Sequence, residues 1–202
     1  MYDINRGKLY KVGEMTIHFF AINNIGKGLS GGDSIWINLA KRWDNVMIWG
    51  SISAIETYQQ EGGKGVYSVA SMYEPKNKFS KWGVFCNTLV KLFMGVKYVI
   101  KNKSFFNDGD IIYSVSDFYP DFIPCLLLKL CGANIKWVAG FYLFAPPPWS
   151  STYRTDRLRG LGYWLSQRAS YPLIKRFADC VFMTSDIDKD KFPRTVVVRG
   201  GV

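Results

Sequence analysis

The stretch Ile25-Gly26-Lys27-Gly28-Leu29-Ser30-Gly31-Gly32-Asp33-Ser34 follows an apolar run from Met15 to Ile25 and precedes a helical pattern from Ile35 to Trp43. A strand, a glycine-rich loop and a helix in this order bring backbone N–H groups to an anionic ligand. Glycines remove the Cβ atoms that would hold a phosphate away. The predicted N-cap is Asp33 or Ser34. A tight turn between two packed elements is the simpler alternative, but four glycines in seven residues exceed what a turn needs.

Strand patterns alternate with helical patterns along the chain, which predicts an α/β class: a Rossmann-like, mainly parallel sheet flanked by helices, forming one domain over residues 1–202. In such a sheet, ligands bind beyond the carboxyl ends of the strands. The glycine loop, the segment 117–121 and the loop 141–149 all follow strands, so they are expected at one rim. Predicted strands are 15–23, 45–49, 66–70, 110–116, 134–140, 180–183 and 195–198; predicted helices are 35–43, 80–102, 122–131 and 156–177, the last broken near 160–162 or before Pro172; residues 50–64 are predicted to be a loop.

Composition limits the class of protein and its partners. The 202 residues are 48% hydrophobic, enough for a globular core, and carry a net charge of +10 that favours anionic partners. No apolar run approaches the length of a spanning helix, and the N-terminus lacks an apolar signal core. The expected location is therefore cytoplasmic. A basic and aromatic composition suits single-stranded nucleic acid or peripheral contact with the inner face of a membrane, and a basic surface over an aromatic-rich core is the simpler alternative.

Histidine and cysteine are expected to be structural. The single histidine, His18, lies within the first strand, where a hydrogen-bonded core role is expected. The four cysteines form no Cys-x-x-Cys pair and lie in apolar segments, which indicates buried, reduced thiols. No metal and no resident cofactor are expected.

The pattern over 80–102 predicts a long helix. Its apolar residues recur at helical spacing, and this pattern favours a helix packed on the core. Because lysines decorate the same segment, a helix lying on acidic lipid is the alternative. The apolar positions are Trp82, Phe85, Leu89, Leu92, Phe93, Val96 and Ile100.

Gly26-x-Gly28-x-x-Gly31 matches the dinucleotide fingerprint. That site also needs an acidic residue at the end of the second strand to hold the ribose. Here the sequence has Trp49-Gly50-Ser51 and no acid before Glu56, and no Gly-Lys-Ser/Thr closes a P-loop. A dinucleotide site is therefore disfavoured, although another Rossmann-like nucleotide-binding protein stays an alternative.

Several segments, taken in order, resemble the N-terminal domain of retaining GT-B fold glycosyltransferases. Gly31-Gly32 and the helix after it are similar to that family's Gly-Gly loop and first helix. Residues 110–114 resemble its fourth strand, and residues 179–185 resemble its "D-x-V-x-x-x-S" strand. Residues 196–202, Val-Val-Val-Arg-Gly-Gly-Val, look like the "P-N-G-V-D" segment that precedes the second domain.

The resemblance implies the acceptor-binding half of a hexosyltransferase that takes a sugar from a nucleotide-sugar to a glycan or lipid-linked acceptor in cell-envelope or glycoconjugate synthesis. It implies no nucleic-acid partner. In the family, the second domain binds most of the nucleotide-sugar and carries paired glutamates and basic residues, so this chain is expected to be inactive alone. The C-terminal domain is expected to be absent, through truncation or as a separate subunit, and a non-catalytic partner subunit of a split transferase is the alternative.

One departure concerns the segment after the fifth strand, where many relatives have a histidine near the sugar and this chain has Val138-Ala139-Gly140-Phe141-Tyr142. Retaining transfer in the family does not need a strong protein base, because the leaving phosphate takes the proton. No catalytic residue is assigned. The sugar donor, acceptor and anomeric outcome are not determined by the sequence.

Backbone N–H groups of Gly28, Gly31 and Gly32 are the candidates for binding the donor diphosphate; turn geometry is their structural alternative. Asp117 and Asp121 are candidates for accepting hydrogen bonds from acceptor hydroxyls. Their alternative role is capping the helix that follows them.

Aromatic and basic residues extend this candidate acceptor site. Tyr142 and Trp149 have faces suited to stacking on a sugar or lipid, or they pack within their own loop. Arg154, with Arg157 and Arg159, suits a phosphorylated acceptor or lipid headgroup, because cations at a helix start oppose its dipole and favour an anion there.

Overall fold

A computed structural model describes residues 15–23, 29–64, 66–69, 81–132, 134–153 and 157–199. Within them, seven strands pair in parallel as one sheet with the order β3-β2-β1-β4-β5-β6-β7. This confirms the predicted α/β, Rossmann-like class. The strands are β1 (Ile17–Ala21), β2 (Val46–Gly50), β3 (Val66–Val69), β4 (Ile111–Ser114), β5 (Lys136–Gly140), β6 (Cys180–Met183) and β7 (Thr195–Val197).

Five α-helices and three short 3-10 helices connect these strands in the described part of the chain. The order of the sheet reverses between β1 and β4, so the segments after these two strands flank a crevice at the carboxyl rim. The α-helices are α1 (Gly31–Ala40), α2 (Ile52–Gln60), α3 (Lys81–Lys101), α4 (Tyr119–Leu130) and α5 (Arg157–Phe177); the 3-10 helices are Lys103–Phe105, Ser151–Tyr153 and Lys189–Lys191.

The predicted loop over 50–64 is wrong, because residues 52–60 form α2. Ser51 caps this helix, with its hydroxyl accepting from the Ala54 N–H at 3.2 Å. Ala54, Ile55 and Tyr58 are buried, and the Tyr58 ring stacks on Trp36 at a centroid distance of 5.7 Å. The helix is short and ends in polar residues, so its apolar spacing is too brief to stand out in the sequence.

Three predictions of helix boundaries also change. α1 runs over Gly31–Ala40, whereas 35–43 was predicted, because Ser30 caps the helix before the two glycines. α4 begins at Tyr119, three residues earlier than predicted, with Pro120 in its first turn, where a missing N–H costs nothing. α5 runs without a break through Pro172, because Ser170 and Ile174 on either side are fully buried and hold the helix against the core. The predicted stop after α4 is confirmed by Gly132, whose φ is 77°.

Two hydrophobic layers cover the two faces of the sheet. One contains α1 and α2 residues packed on Phe19, Ile48 and Tyr113. The other is larger, lies under α3, α4 and α5, and includes Phe20 and Trp137. Continuous apolar strands, rather than alternating ones, therefore reflect a sheet covered on both sides.

His18 has the expected core role, at the amino edge of the sheet. The Trp49 indole N–H donates to His18 Nδ1 at 3.0 Å, and His18 Nε2 lies 3.1 Å from Asp110 Oδ2. Because Nδ1 accepts, the neutral ring carries its proton on Nε2 and donates it to Asp110. The carboxylate also accepts from the backbone N–H groups of Thr16 and Asn107. This network ties β1, β2 and the start of β4 together.

The four cysteines are free, but only part of the prediction for them is confirmed. Cys125 is buried and Cys180 is intermediate, whereas Cys86 and Cys131 are exposed. Cys86 lies on the outer face of α3. Its apolar neighbours in the sequence suggested burial, but they do not reveal which face of the helix meets the core.

The α3 helix has the predicted length, but a different face of it meets the core from the one predicted. Its buried positions recur every fourth residue, and Asn87 and Lys91 are among them. Of the seven apolar positions that were predicted to face the core, Leu92 and Val96 are half-buried and the side chain of Trp82 lies outside the described residues. The other four are exposed instead: Phe85, Leu89, Phe93 and Ile100. Residues 83–101 are also long and apolar enough to cross a membrane by length and composition alone, with a mean hydropathy of 1.4, contrary to the expectation that no such segment exists.

Candidate functional site

The start of α1 is organised by a reciprocal cap between Ser30 and Asp33. The Ser30 hydroxyl accepts from the Asp33 N–H at 3.1 Å, and the Asp33 carboxylate accepts from the Ser30 N–H at 3.0 Å. The N-cap is therefore Ser30, not Asp33 or Ser34 as predicted. Asp33 also accepts from the Trp36 indole N–H at 3.2 Å, which holds its carboxylate against the helix.

This cap leaves the N–H groups of Gly31 and Gly32 at the open end of the helix. Neither has a hydrogen-bond acceptor within the described residues. A Cβ at Gly31 would meet no atom within 4 Å, so the space in front of the first turn is open. Two N–H donors at the positive end of a helix dipole suit an oxyanion. The nearby Asp33 charge reduces that attraction.

Gly32 is required for a close contact with Tyr142. A Cβ at Gly32 would lie 2.9 Å from Tyr142 Cε2, so any larger residue would displace the ring. The Tyr142 hydroxyl lies 2.5 Å from the Tyr113 hydroxyl, which places the end of β4 and the loop after β5 against α1. Gly32 and Tyr142 are predicted separately as site residues, and the folded chain brings them into contact.

The two tyrosine hydroxyls stay protonated. Burial raises the pKa of Tyr142 well above its usual value, and the negative charges of Asp33 and Asp121 add to this effect. Burial also raises the pKa of Tyr113. One phenol must donate to the other, which leaves one O–H for a third group. The pair is therefore a neutral hydrogen-bond donor beside the start of α1.

Asp121 joins the end of β1 to the start of α4. Its carboxylate accepts from the Asn23 N–H at 2.8 Å and from the Ser116 hydroxyl, and its side chain is 2% exposed. Burial raises its pKa to about 7, with hydrogen bonds and the charge of Lys91 acting in the opposite direction. Contact with an acceptor hydroxyl stays a prediction for Asp121, but its oxygens already have internal donors.

Asp117 is half-buried and bound to Gln167 of α5. Gln167 Nε2 donates to Asp117 Oδ2 and to the Leu143 carbonyl, both at 2.9 Å, while its Oε1 accepts from the Ala145 N–H at 2.6 Å. Burial raises the pKa of Asp117 to about 6. Gln167 thus fixes the loop 141–149 against the rim. Neither aspartate caps α4, whose N-cap is Phe118 with no side-chain hydrogen bond.

Sequence reasoning missed Tyr113, Ser116 and Gln167. Each is a single polar residue within or beside an apolar element, and it becomes significant only when the chain brings it to a partner at least five residues away. One sequence signal could have indicated Tyr113. Successive side chains of a strand point to opposite faces of the sheet, which puts Tyr113 on the face that α1 covers.

Trp149 is the exposed aromatic of the rim. Its side chain is 76% exposed, and its ring centroid lies 6.1 Å from that of Trp164. The Arg168 guanidinium lies 4.4 Å from the Trp164 ring centre. This Trp–Trp–Arg group offers a surface that suits a sugar or lipid chain. Stacking on an acceptor stays a prediction.

The structure places only some of the remaining predicted site residues, and the side chain of Arg159 lies outside the described part. Gly28 and Arg154 lie outside the described residues. Arg157 is the first residue of α5 and is exposed. No group of three His, Cys, Asp or Glu side chains that could hold a metal ion occurs in the described ranges.

A cavity of about 420 Å³ lies at the opposite, amino edge of the sheet. Its lining includes Lys129, Lys175, Arg176 and Arg194. Asp179 pairs with Lys129 Nζ at 2.6 Å and accepts from the Trp137 N–H. The cavity is lined by none of the residues at the carboxyl rim. Lys175 and Arg176 lie in the last turn of α5, where positive charge stabilises the helix dipole, so we assign this group of charges a structural role.

The comparisons with known proteins identify a fold. No protein-family model matches the chain, and no curated protein matches it significantly. Two structures of Anabaena Alr3699/HepE, one in complex with UDP and glucose and one with UDP, superpose with a TM-score of 0.56 at 13% and 14% identity. These alignments cover 93% and 94% of this chain but 44% of the HepE chain. The chain therefore spans less than half the length of HepE.

A third solved structure is the N-terminal domain of Candida albicans trehalose-6-phosphate phosphatase. It is 17% identical, has a TM-score of 0.48, and its alignment covers 93% of this chain and 43% of that one. At these levels of identity the likeness to HepE is a likeness of fold, in agreement with the parallel sheet described above.

Proposed function

We propose that the chain is the acceptor-side half of a glycosyltransferase that uses a nucleotide-sugar. The observation that carries this proposal is the pair of open N–H groups at Gly31 and Gly32 beside the Tyr113–Tyr142 hydroxyl pair, at the point where the sheet order reverses. Its support from outside the chain is the fold shared with HepE, which was crystallised with UDP and glucose. The ordered glycosyltransferase-like segments in the sequence support it too.

In this proposal the residues of the rim have separate roles. The Gly31 and Gly32 N–H groups donate to oxygens of the sugar diphosphate, and charge that develops on the leaving diphosphate strengthens these bonds. The remaining phenol proton of the tyrosine pair donates to a ligand oxygen. Tyr142 lies in the segment where the glycosyltransferases that the sequence resembles have a histidine. Because its phenol stays protonated, we propose that it acts as a hydrogen-bond donor and not as a base.

The acceptor is proposed to lie on the Trp149 side of the rim. Gln167 of α5 holds the loop at Leu143 and Ala145, and the Trp149 ring at the end of this loop lies 6.1 Å from that of Trp164, also on α5. A glycan or a lipid-linked sugar has apolar faces that pack on such a ring. The ring is 76% exposed in the chain without ligand and is thus open to such contact.

The Asp33 carboxylate makes this half site weak for a diphosphate. It occupies the same helical turn as the two open N–H groups, and the repulsion between it and a phosphate offsets part of the helix dipole. Positive charge must then come from elsewhere to neutralise the leaving group. The second domain of the glycosyltransferases that the sequence resembles carries such basic residues, so we propose that transfer needs a second domain, on the same or a separate chain.

Calorimetric titration of the chain with UDP, UDP-glucose and NAD tests the binding part. We expect UDP and UDP-glucose to bind in roughly the millimolar range, since only one side of the diphosphate is held, and NAD not to bind. Binding of NAD with no binding of UDP would favour another Rossmann-like nucleotide protein. Absence of all three interactions would contradict the proposal.

A sugar-transfer assay tests the second part. With radiolabelled nucleotide-sugars and a glycan or lipid-linked acceptor, the chain alone is expected to give no turnover. Robust turnover by the chain alone would contradict the need for a second domain. Co-purification with a chain that carries such a domain would support a split enzyme.

A further inference from the structure

The α3 helix has an unusual division of residues between its two faces. The face that meets the rest of the protein contains Gly83, Asn87, Lys91, Gly95 and Val99, spaced every fourth residue. A helix that served only the core would place its large apolar residues there. Instead, the most buried stripe consists of small and polar residues with one valine, and the large side chains that α3 packs on the core, Met94 and Tyr98, are only half-buried.

Specific contacts fix this orientation. At Gly95 a Cβ would lie 2.8 Å from Ile22 Cδ1 and 3.2 Å from Pro124 Cγ, so the helix approaches α4 and the residue after β1 too closely for a side chain. The Lys91 side chain is fully buried, and its charge acts on Asp121. Rotating α3 to bury its apolar face would expel Gly95 from this contact and separate Lys91 from the carboxyl group.

The opposite face presents large apolar side chains to solvent. Leu89, Phe93, Val96 and Ile100 are spaced by four, three and four residues, which places them on one stripe. Phe93 is 78% exposed, Ile100 is 67% exposed and Leu89 is 42% exposed. A contiguous apolar stripe of this kind marks an interaction surface rather than scattered exposure.

The charge around this stripe is of one sign. Residues 75–107 contain seven lysines and no aspartate or glutamate. Lys97 and Lys101 are exposed on one flank of the stripe, and the whole chain carries a net charge of +10. An apolar stripe with lysine flanks complements the headgroups and acyl boundary of an anionic membrane.

We propose that the outer face of α3, defined by Leu89, Phe93, Val96 and Ile100 with the flanking Lys97 and Lys101, lies in the interface of an anionic lipid membrane. The helix lies on the membrane and does not span it, because its other face packs on α4 and contains Lys91. This proposal does not depend on the proposed function, since it involves no residue of the carboxyl rim.

Vesicle sedimentation tests the proposal with the complete 202-residue chain. We expect binding to vesicles of phosphatidylcholine with phosphatidylglycerol, and little binding to vesicles of phosphatidylcholine alone. High salt should weaken the binding. Equal binding to both compositions, or no binding to the anionic vesicles, would overturn it.

Two double variants of α3 distinguish insertion of its apolar face into the lipid from attraction by charge alone in the vesicle-binding assay. The double variant Phe93→Ser, Ile100→Ser should bind anionic vesicles at least about tenfold more weakly, because two large apolar side chains no longer enter the lipid. The matched control is Ile187→Ser, which removes an isoleucine that is 89% exposed and lies outside α3, and which should bind like the original chain. The variant Lys97→Glu, Lys101→Glu should lose the preference for anionic lipid.

Two results would contradict the proposal. Unchanged vesicle binding by the serine double variant would mean that charge alone attracts the chain. Concentration-dependent self-association that the same variant abolishes, without vesicle binding by the original chain, would assign the face to a second copy. Circular dichroism melting is expected to be unchanged in both double variants, since the substituted residues are exposed.

Discussion

Gly31 and Gly32 are neighbours in sequence, but their surroundings differ. Gly31 faces open space, while Gly32 touches the Tyr142 ring. The absence of a side chain at Gly32 is therefore explained by packing within the chain. At Gly31 none of the described residues lies within 4 Å of an added Cβ, and the proposed site uses this space for a ligand.

This difference predicts different effects of alanine at the two positions. Gly31→Ala should change the free energy of unfolding by less than about 1 kcal/mol, yet weaken UDP binding about tenfold by covering the open N–H groups. Gly32→Ala should displace Tyr142 and cost about 1 kcal/mol or more of stability. Urea unfolding and calorimetric titration of both variants check this. Unchanged UDP affinity in Gly31→Ala would contradict the assigned role.

His18 is predicted to stabilise the chain in its neutral form. Its removal in His18→Ala leaves the Trp49 N–H and the Asp110 carboxylate without their buried partner, and opens a cavity. The expected cost is about 2–4 kcal/mol of unfolding free energy, measured by urea titration at neutral pH. His18→Asn, which keeps a donor and an acceptor, should recover part of this loss.

The same network predicts loss of stability on acidification. Burial lowers the pKa of His18, so the unfolded chain takes up a proton as the pH falls through its ordinary value near 6.5 while the folded chain does not. Burial alone would raise the pKa of Asp110, but hydrogen bonds from His18, Asn107 and Thr16 outweigh it and lower that pKa. Its stabilising contribution is present above its ordinary value and is lost at more acidic pH.

Asp121 is predicted to act in the opposite sense. Its pKa in the folded chain is raised from 3.8 to about 7, so its contribution to stability is present below pH 4 and is lost as the pH rises to 7. Asp121→Asn should remove this slope, which amounts to at most about 1.4 kcal/mol per pH unit. The unfolding free energy of the Asp121→Asn variant should therefore rise more steeply between pH 4 and 7 than that of the original chain. An identical pH profile would contradict the raised pKa.

Among the elements, α3 illustrates how far periodicity can predict structure. The apolar spacing correctly indicated a helix over 80–102. Residues on any one face of a helix recur with the helical period, whether that face is buried or exposed. The spacing could not indicate which stripe is buried. The signals for the true orientation were the buried Asn87 and Lys91. Lys91 Nζ donates to the carbonyl of Asn23, which follows β1, and its charge acts on Asp121 of α4; both partners are distant in sequence.

The contact between β4 and β5 requires a glycine at 140. A Cβ there would lie 2.7 Å from the Val115 carbonyl oxygen, and backbone atoms cannot move aside as a side chain can. Gly140→Ala should therefore cost about 1–3 kcal/mol of unfolding free energy. Gly162→Ala is the control: that position in α5 has no atom within 4 Å of the added Cβ, so helix propensity should stabilise the chain by up to about 1 kcal/mol. Equal effects of the two changes would contradict the close approach at Gly140.

For the whole molecule, the sequence predicted the layers better than the site. Alternating strands and helices imply a parallel sheet, and chain order with short connections limits how the strands can be arranged. The grouping of Gly32, Tyr113 and Tyr142 depends on β4 and β5 lying beside each other and under α1, which only the folded chain provides. The same holds for the link from Asp117 through Gln167 to the loop 141–149.

At this scale the rim of the sheet and the outer face of α3 form two separate surfaces. The first presents N–H and O–H donors for an anionic or hydroxyl-rich ligand, and the second presents apolar side chains with lysines. Because α4 packs against α3 and also begins at the rim, a membrane under α3 would hold the rim near the lipid surface.

The most direct measurement of the central claim is a UDP titration of the ¹⁵N-labelled chain followed by NMR. If the open end of α1 binds the diphosphate, the amide resonances of Gly31 and Gly32 shift in a saturable way, while that of Gly162 in α5 stays in place. If UDP leaves the Gly31 and Gly32 resonances unchanged, or shifts only amides at the amino edge of the sheet, the proposed nucleotide-sugar site is wrong.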